Sequence, residues 1–159
     1  MKFTIEQIAI SPKDPIAAKR LLADMGATKW HEDTVKADGV VFAEEGSNEA
    51  QLSFNYDLCP DKEFEVLHYT SGRNWIEGQN AVSHLGMHCT AAELKDWVSF
   101  FAVRGIKVAQ EVFTQSHTNP AIAGKRRYHY VIFDTRAILG VDLKFIVRLD
   151  NKNEERGSN

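Results

Sequence analysis

Matching polar residues recur in the two halves of this chain at a constant offset. Gln7 and His84 are 77 residues apart, and Glu65 and Asp142 are separated by the same number. Gln7 and His84 each lie in an apolar, strand-like run that is soon followed by a helical pattern. Glu65 and Asp142 instead lie in the strand-like run that closes each half. Because an internal repeat means that one structural unit occurs twice, the sequence predicts two similar modules.

The first half begins with an alternating apolar run over residues 3–10, which predicts a strand. Asp14 and Pro15 then supply the N-cap and N1 signals of a helix that ends at Gly26. Apolar residues at helical spacing support this helix: Ala18, Leu21, Leu22 and Met25. Further strands are predicted over residues 28–35, 40–43, 51–56 and 64–69, with turns at Asp38-Gly39, 46–48 and Pro60-Asp61.

The second half repeats this order and begins with a predicted strand over residues 82–89. Thr90 and Glu93 have the spacing of a capping box, and the helix that they open ends at Gly105. The helix carries an apolar stripe: Leu94, Trp97, Val98 and Phe101. Gly26 and Gly105 are 79 rather than 77 residues apart, so the second half contains a short insertion that is later compensated. The remaining strands are predicted over residues 107–114, 128–133 and 141–147.

Size and composition restrict the class of protein. A chain of 159 residues with 43% hydrophobic and 26% charged residues is typical of one soluble globular domain. The net charge of −3 gives no indication of a nucleic-acid partner. No apolar run approaches the roughly 20 residues that cross a membrane. Cys59 and Cys89 are too few for a disulfide framework, and we expect free thiols in a reducing cytoplasm.

The four repeated polar residues have the composition of an oxygen-rich site for a divalent metal. Each also has an ordinary structural alternative. A histidine on an apolar strand is usually a packed core residue, and a glutamate between apolar neighbours can face outward from an antiparallel sheet. Oxygen and nitrogen ligands without a thiolate favour Ni, Co, Mn, Fe or Zn, and the residue types do not choose among these metals.

A strand, a helix and three strands, given twice, resemble the plan of the vicinal-oxygen-chelate superfamily over residues 3–149. Three short motifs carry the resemblance: Gln-Ile-Ala-Ile at 7–10, Phe-Glu-Val-Leu at 64–67 and His-Leu-Gly-Met at 84–87. The resemblance implies an α+β fold in which two βαβββ modules, residues 1–72 and 80–149, form an open, incomplete barrel. Together they would make one glyoxalase-like domain, followed by a flexible polar tail over residues 150–159.

The ligand pattern is most similar to that of glyoxalase I. The resemblance implies that a divalent metal is held by Gln7, Glu65, His84 and Asp142, the last standing where the family favours glutamate. It also implies catalytic roles for Glu65 and Asp142. Four further residues are candidates for binding substrate: Lys144, His88, Arg73 and Tyr130. Lys144 shares a strand face with Asp142, and His88 shares one with His84, because both pairs have a spacing of two or four.

Three functions remain open. The first is a metal-dependent lyase, isomerase or epimerase that removes a proton next to a carbonyl of a small substrate. The second is a non-haem Fe(II) dioxygenase of the same fold, because one histidine and two carboxylates also match the facial triad of that class. The third is a non-catalytic protein that binds a small molecule. We also expect a homodimer, because open half-barrels expose sheet edges.

Overall fold

The computed structural model describes residues 1–41, 44–71, 83–116 and 126–150. The first module contains β1 (Gln7–Ile10), α1 (Pro15–Asp24), β2 (Trp30–Val41), β3 (Glu44–Asn55) and β4 (Glu63–Ser71). The second module contains β5 (His84–His88), α2 (Ala91–Ala102), β6 (Val108–Ser116), β7 (Arg126–Phe133), the short helix α3 (Arg136–Leu139) and β8 (Asp142–Asp150). The predicted plan of two βαβββ modules is confirmed, and among the described residues the short helix α3 is an element that was not predicted.

The eight strands form one ring in the order β1-β4-β3-β2-β6-β7-β8-β5. Within each module the first strand pairs parallel with the last, β1 with β4 and β5 with β8. The modules meet at two antiparallel seams, β1 with β5 and β2 with β6. The second seam completes the ring of strands. Because the first seam joins β1 to β5, the polar residues of β4, β1, β5 and β8 lie on four adjacent strands.

Two predicted turns are wrong, because both lie inside a long hairpin. Asp38 pairs with Ser47 and Gly39 pairs with Gly46, so β2 and β3 run on where the sequence predicts chain reversals. The cause is tertiary, since β2 is also hydrogen-bonded to β6 along this stretch. A Cβ atom on Gly39 would lie 2.1 Å from the backbone oxygen of Glu111. Glycine is therefore required there by the close approach of β6 rather than by a turn.

The two longer helices, α1 and α2, contribute differently to the core. In α2, Leu94, Trp97 and Phe101 are buried and pack with the fully buried Phe145 of β8. By contrast, α1 has no buried residue, although Asp14 caps it as predicted. Two residues of its apolar stripe, Leu21 and Met25, are exposed, and the other two are only half-buried, so this helix does not pack on the core as α2 does. Exposed apolar area of this kind is compatible with the predicted homodimer, which stays a prediction.

None of the helices in the described segments combines the length and the apolar character that a membrane span requires. Cys59 and Cys89 are both free thiols, as predicted.

The capping box of α2 gives a first testable prediction. Thr90 Oγ1 accepts from the Glu93 amide at 3.2 Å, and the Glu93 carboxylate accepts from the Thr90 amide at 2.8 Å. Replacing Thr90 with alanine should lower the free energy of unfolding by about 1 kcal/mol in urea titrations. Ser99→Ala, in the middle of the same helix, is the control and should cost less, because the Ser99 hydroxyl only bonds back to a carbonyl. Equal losses of stability in the two variants would show that the cap contributes no more than the Ser99 hydroxyl.

Candidate active site

The strand registers place the polar residues of four adjacent strands in two rows. The first row runs Glu63, Gln7, Gly86 and Lys144 across β4, β1, β5 and β8. The second row, two residues along each strand, runs Glu65, Ala9, His84 and Asp142. Residues two apart on a strand share a face, so both rows point to the same side of the sheet. Gly86 and Ala9 are small, and they leave room for the long side chains beside them to converge.

Four side chains from these rows meet in the interior of the barrel. His84 Nε2 lies 2.9 Å from Gln7 Oε1, and Lys144 Nζ donates to the same oxygen at 3.2 Å. Glu65 Oε2 lies 3.6 Å from His84 Nε2 and 3.8 Å from Lys144 Nζ. Gln7, Glu65, His84 and Lys144 are all buried, with no more than 8% of any of them accessible. The structure thus brings together three of the four predicted ligands, together with a lysine.

The hydrogen bonds fix the direction of the Gln7 amide. Its Nε2 donates to the Glu63 carboxylate, so its Oε1 is the atom that faces His84 and Lys144. An amide oxygen can only accept, and therefore His84 Nε2 must carry the proton of this hydrogen bond. Gln7 in this way couples Glu63 on one side to the imidazole and the ammonium on the other.

Two carboxylates of the site have pKa values shifted in opposite directions. Burial raises the pKa of Glu65, but the charge of Lys144 and the nearby His84 imidazole more than offset it, so the pKa of Glu65 is lowered overall. Burial, followed by repulsion from Glu65, raises the pKa of Glu63. Tyr56 donates to Glu63 at 3.2 Å, and burial together with the Glu63 charge raises the pKa of Tyr56 to about 12. Paired carboxylates of opposite shift are typical of acid–base sites.

These groups face a cavity of about 360 Å³ inside the barrel. This volume lies within the range of small-molecule sites in proteins. Apolar and aromatic side chains form much of the wall, and Lys144 Nζ lies 4.7 Å from the centroid of the Tyr130 ring. His31 and Asp33 of β2 also line the cavity and were not predicted, nor was Glu63. Period-two spacing was the available signal, since Glu63 is two residues from Glu65.

Asp142 does not line this cavity. It pairs in register with His84, but its Oδ1 lies 3.3 Å from Arg136 Nε on the short helix α3. Burial raises the pKa of Asp142 to about 6, although Arg136 opposes the shift. The β8 residue that reaches Gln7 is Lys144, because it pairs with Gly86, the residue opposite Gln7. The β8 residue that contacts Gln7 and Glu65 is therefore Lys144.

The other predicted substrate-binding residues are placed as follows. Tyr130 lines the cavity next to Lys144. His88 also lines it, with half of its side chain exposed and its Nδ1 2.9 Å from Glu6 Oε2. Arg73 lies outside the described residues.

A divalent metal does not fit this arrangement as it stands. The Gln7 oxygen already accepts from two donors, and His84 Nε2 carries a proton where a ligand needs a lone pair. The Lys144 ammonium lies among the same atoms. Across the four described segments, no three or more histidine, cysteine, aspartate or glutamate side chains are arranged so that they could hold a metal ion. Metal ligation by Gln7, Glu65, His84 and Asp142 stays a prediction of the sequence alone.

The contact between Gly86 and Gln7 is a sensitive point of the site. A Cβ atom on Gly86 would lie 3.0 Å from both Cβ and Oε1 of Gln7. Gly86→Ala should therefore displace Gln7 and lower the free energy of unfolding by about 1–3 kcal/mol, which urea titration measures. Unchanged stability would show that β1 and β5 are less closely packed than the structure has them.

No protein-family model matches this sequence, and no curated protein matches it. Solved structures do. A hypothetical protein from Bacillus halodurans C-125 is similar with a TM-score of 0.52 and 12% identity, over 94% of this chain and 97% of that chain. The methylmalonyl-CoA epimerase from Mycobacterium tuberculosis is similar with a TM-score of 0.53 and 9% identity, over 92% of each chain. Together with the strand order and the two modules, these likenesses show that the chain has the glyoxalase-like fold.

Proposed function

We propose that this protein is an isomerase or lyase that removes a proton next to a carbonyl of a small, oxygen-rich acid or thioester. One observation carries the proposal. Glu65 lines the cavity, and its buried Oε2 makes no hydrogen bond to the residues that the structure describes: His84 Nε2 and Lys144 Nζ lie 3.6 and 3.8 Å away. A buried carboxylate oxygen that is held by charge but left without a hydrogen bond is costly to stability, which favours a functional reason for it.

Glu65 is suited to be the general base. Its lowered pKa keeps the carboxylate ionised at neutral pH, and its Oε2 faces the cavity. When Oε2 takes the proton, the electron pair of the C–H bond moves toward the carbonyl and forms an enolate oxygen. Lys144 Nζ lies 3.8 Å from Oε2 and carries three N–H donors, of which one bonds to Gln7, so it is placed to bind that oxygen.

Glu63 is the candidate acid that returns the proton. Its raised pKa favours the protonated form, and its side chain lines the same cavity as Glu65. Two carboxyl groups whose pKa values are shifted apart, one lowered and one raised, are the pair that an isomerase or epimerase requires. In a lyase, the same acid would protonate the leaving group.

The fold supports the reaction class but does not select the substrate. The similar protein from Mycobacterium tuberculosis is named as an epimerase of methylmalonyl-CoA, an acid thioester. We extend only its kind of chemistry, proton transfer beside a carbonyl, to this chain. The dioxygenase alternative requires an iron ion among the same side chains, where a divalent ion does not fit. The cavity of about 360 Å³ suits a small organic acid or an acyl group.

Hydrogen–deuterium exchange tests this proposal without a known physiological substrate. The protein is incubated in D₂O with methylmalonyl thioesters, 2-oxoacids and 2-oxoaldehyde–thiol adducts, and the loss of the proton next to the carbonyl is followed by NMR. At least one compound should exchange about 100-fold faster than in buffer. Binding without exchange across the panel would instead identify a small-molecule-binding protein.

A further inference from the structure

We infer that the Lys144 ammonium is the resident cation of this site and takes the place of a divalent metal ion. The inference rests on the proposed function for its chemistry, whereas its consequence for metal binding can be measured without any substrate.

The register of four strands fixes the position of Lys144. Lys144 pairs with Gly86, and Gly86 pairs with Gln7, so Lys144 extends over a residue without a side chain toward the Gln7 amide. Its Nζ donates to Gln7 Oε1 at 3.2 Å and lies 3.8 Å from Glu65 Oε2. The Tyr130 ring supports the ammonium from a further side, 4.7 Å from its centroid. An ion bound to the oxygens of Gln7 and Glu65 would thus lie beside this charge.

The carboxyl groups of Glu65 and Glu63 are already engaged without a metal ion. The ammonium of Lys144 matches the charge of Glu65, and Glu63 accepts hydrogen bonds from Gln7 Nε2 and the Tyr56 hydroxyl. Asp142 adds no charge to the cavity, because its carboxylate pairs with Arg136 instead. A divalent ion added here would create an excess of positive charge in a buried place, which is strongly unfavourable.

An ammonium also selects a different substrate from a metal. A metal ion with open coordination positions can hold two neighbouring oxygens at once, whereas Lys144 offers N–H donors to single oxygens. The substrate class that fits is therefore an acid or thioester with one carbonyl oxygen on which negative charge develops. Vicinal oxygens are not required for binding.

Converting the ammonium into a carboxylate tests the inference. Wild type, Lys144→Glu and Lys144→Gln are each incubated with Ni²⁺, Co²⁺, Mn²⁺ or Zn²⁺, desalted, and analysed for metal per chain. Wild type should retain almost none. Lys144→Glu should bind roughly 100-fold or more tightly, because a repulsive charge beside the ion becomes an attractive one. Lys144→Gln removes the positive charge and introduces a neutral amide oxygen, so its metal binding should lie between the two. It also tests the inference if the glutamate variant does not fold.

Two further variants assign the effect to the site. Lys107→Glu makes the same charge change at an exposed position and should retain no more metal than wild type. Adding His84→Ala to Lys144→Glu should abolish the retained metal. One ion per wild-type chain, lost in His84→Ala, would overturn the inference, and so would folded Lys144 variants that bind no better than wild type.

A chelator separates this inference from the proposed function. If a compound exchanges its proton, the exchange by wild-type protein should be unchanged after treatment with a chelator. Exchange that is lost on chelation and restored by a divalent ion would uphold the proposed function and overturn the role of Lys144. If none of the compounds exchanges its proton but the metal binding of the variants is as expected, the role of Lys144 is upheld and the proposed function is overturned.

Discussion

Glu65→Gln should reduce the rate of proton exchange by about 10²–10⁴-fold, which is the usual contribution of a general base. Glutamine keeps the shape of the side chain but cannot take a proton. The rate is to be measured by NMR in D₂O on whichever compound wild type exchanges fastest. Substrate binding, measured separately by calorimetry, should change far less than the rate, because only the proton transfer is lost.

Glu111→Gln is the matched control for this variant. Glu111 is exposed, does not line the cavity, and accepts from His129 at 2.9 Å on the outside of the barrel. The proton-exchange rate of the Glu111→Gln protein should equal that of wild type. A Glu65→Gln protein that retains most of the wild-type rate would remove Glu65 as the base and leave Glu63 as the remaining candidate.

The repeat predicted the fold because it reflects the pairing of the modules. Residues 77 apart lie on β1 and β5, and these two strands are hydrogen-bonded neighbours at the seam. Gln7 and His84 therefore had to come close together, and Glu65 followed because β4 pairs parallel with β1.

At the last strand, the residue that reaches Gln7 lies two positions beyond the one that the repeat offset indicates. Lys144 is 79 residues from Glu65, the offset that separates Gly26 from Gly105, whereas Asp142 is 77 away. The sequence thus contained the signal that the offset changes after the helix. Which of the two β8 residues reaches Gln7 depends on the register with β5 and on the pairing of Asp142 with Arg136. Neither the register nor this ion pair can be predicted from residue spacing alone.

The turn predictions fail for a related reason. Asp-Gly and Gly-Ser-Asn are good local turn signals, but β2 is paired on both of its edges. Hydrogen bonds to two neighbouring strands outweigh the local preference of a few residues, and Gly39 is needed for close packing against β6. Contacts with distant parts of the chain decide such positions.

Lys144→Met should destabilise the fold at neutral pH by about 3 kcal/mol, because it leaves the buried Glu65 carboxylate without its cation. Lys36→Met is the control. Lys36 is exposed and lies 3.8 Å from Glu49, and such surface pairs contribute at most about 1 kcal/mol. The double variant Glu65→Gln/Lys144→Met should be more stable than Lys144→Met, since it removes the uncompensated charge.

The pH dependence of this loss has a definite sign. In wild type the pKa of Glu65 is lowered, so its contribution is present above the ordinary value of 4.5 and is lost as the pH falls through the lowered pKa. Without Lys144, burial becomes the dominant influence and should raise the pKa of Glu65 above 4.5. As the pH falls through that raised pKa, Glu65 takes up a proton, and the destabilisation of Lys144→Met by the buried charge decreases. Urea titrations from neutral pH down to pH 4.5 should therefore show the gap between wild type and Lys144→Met narrowing. A gap that is constant with pH would mean that Lys144 stabilises the barrel by packing rather than through the charge of Glu65.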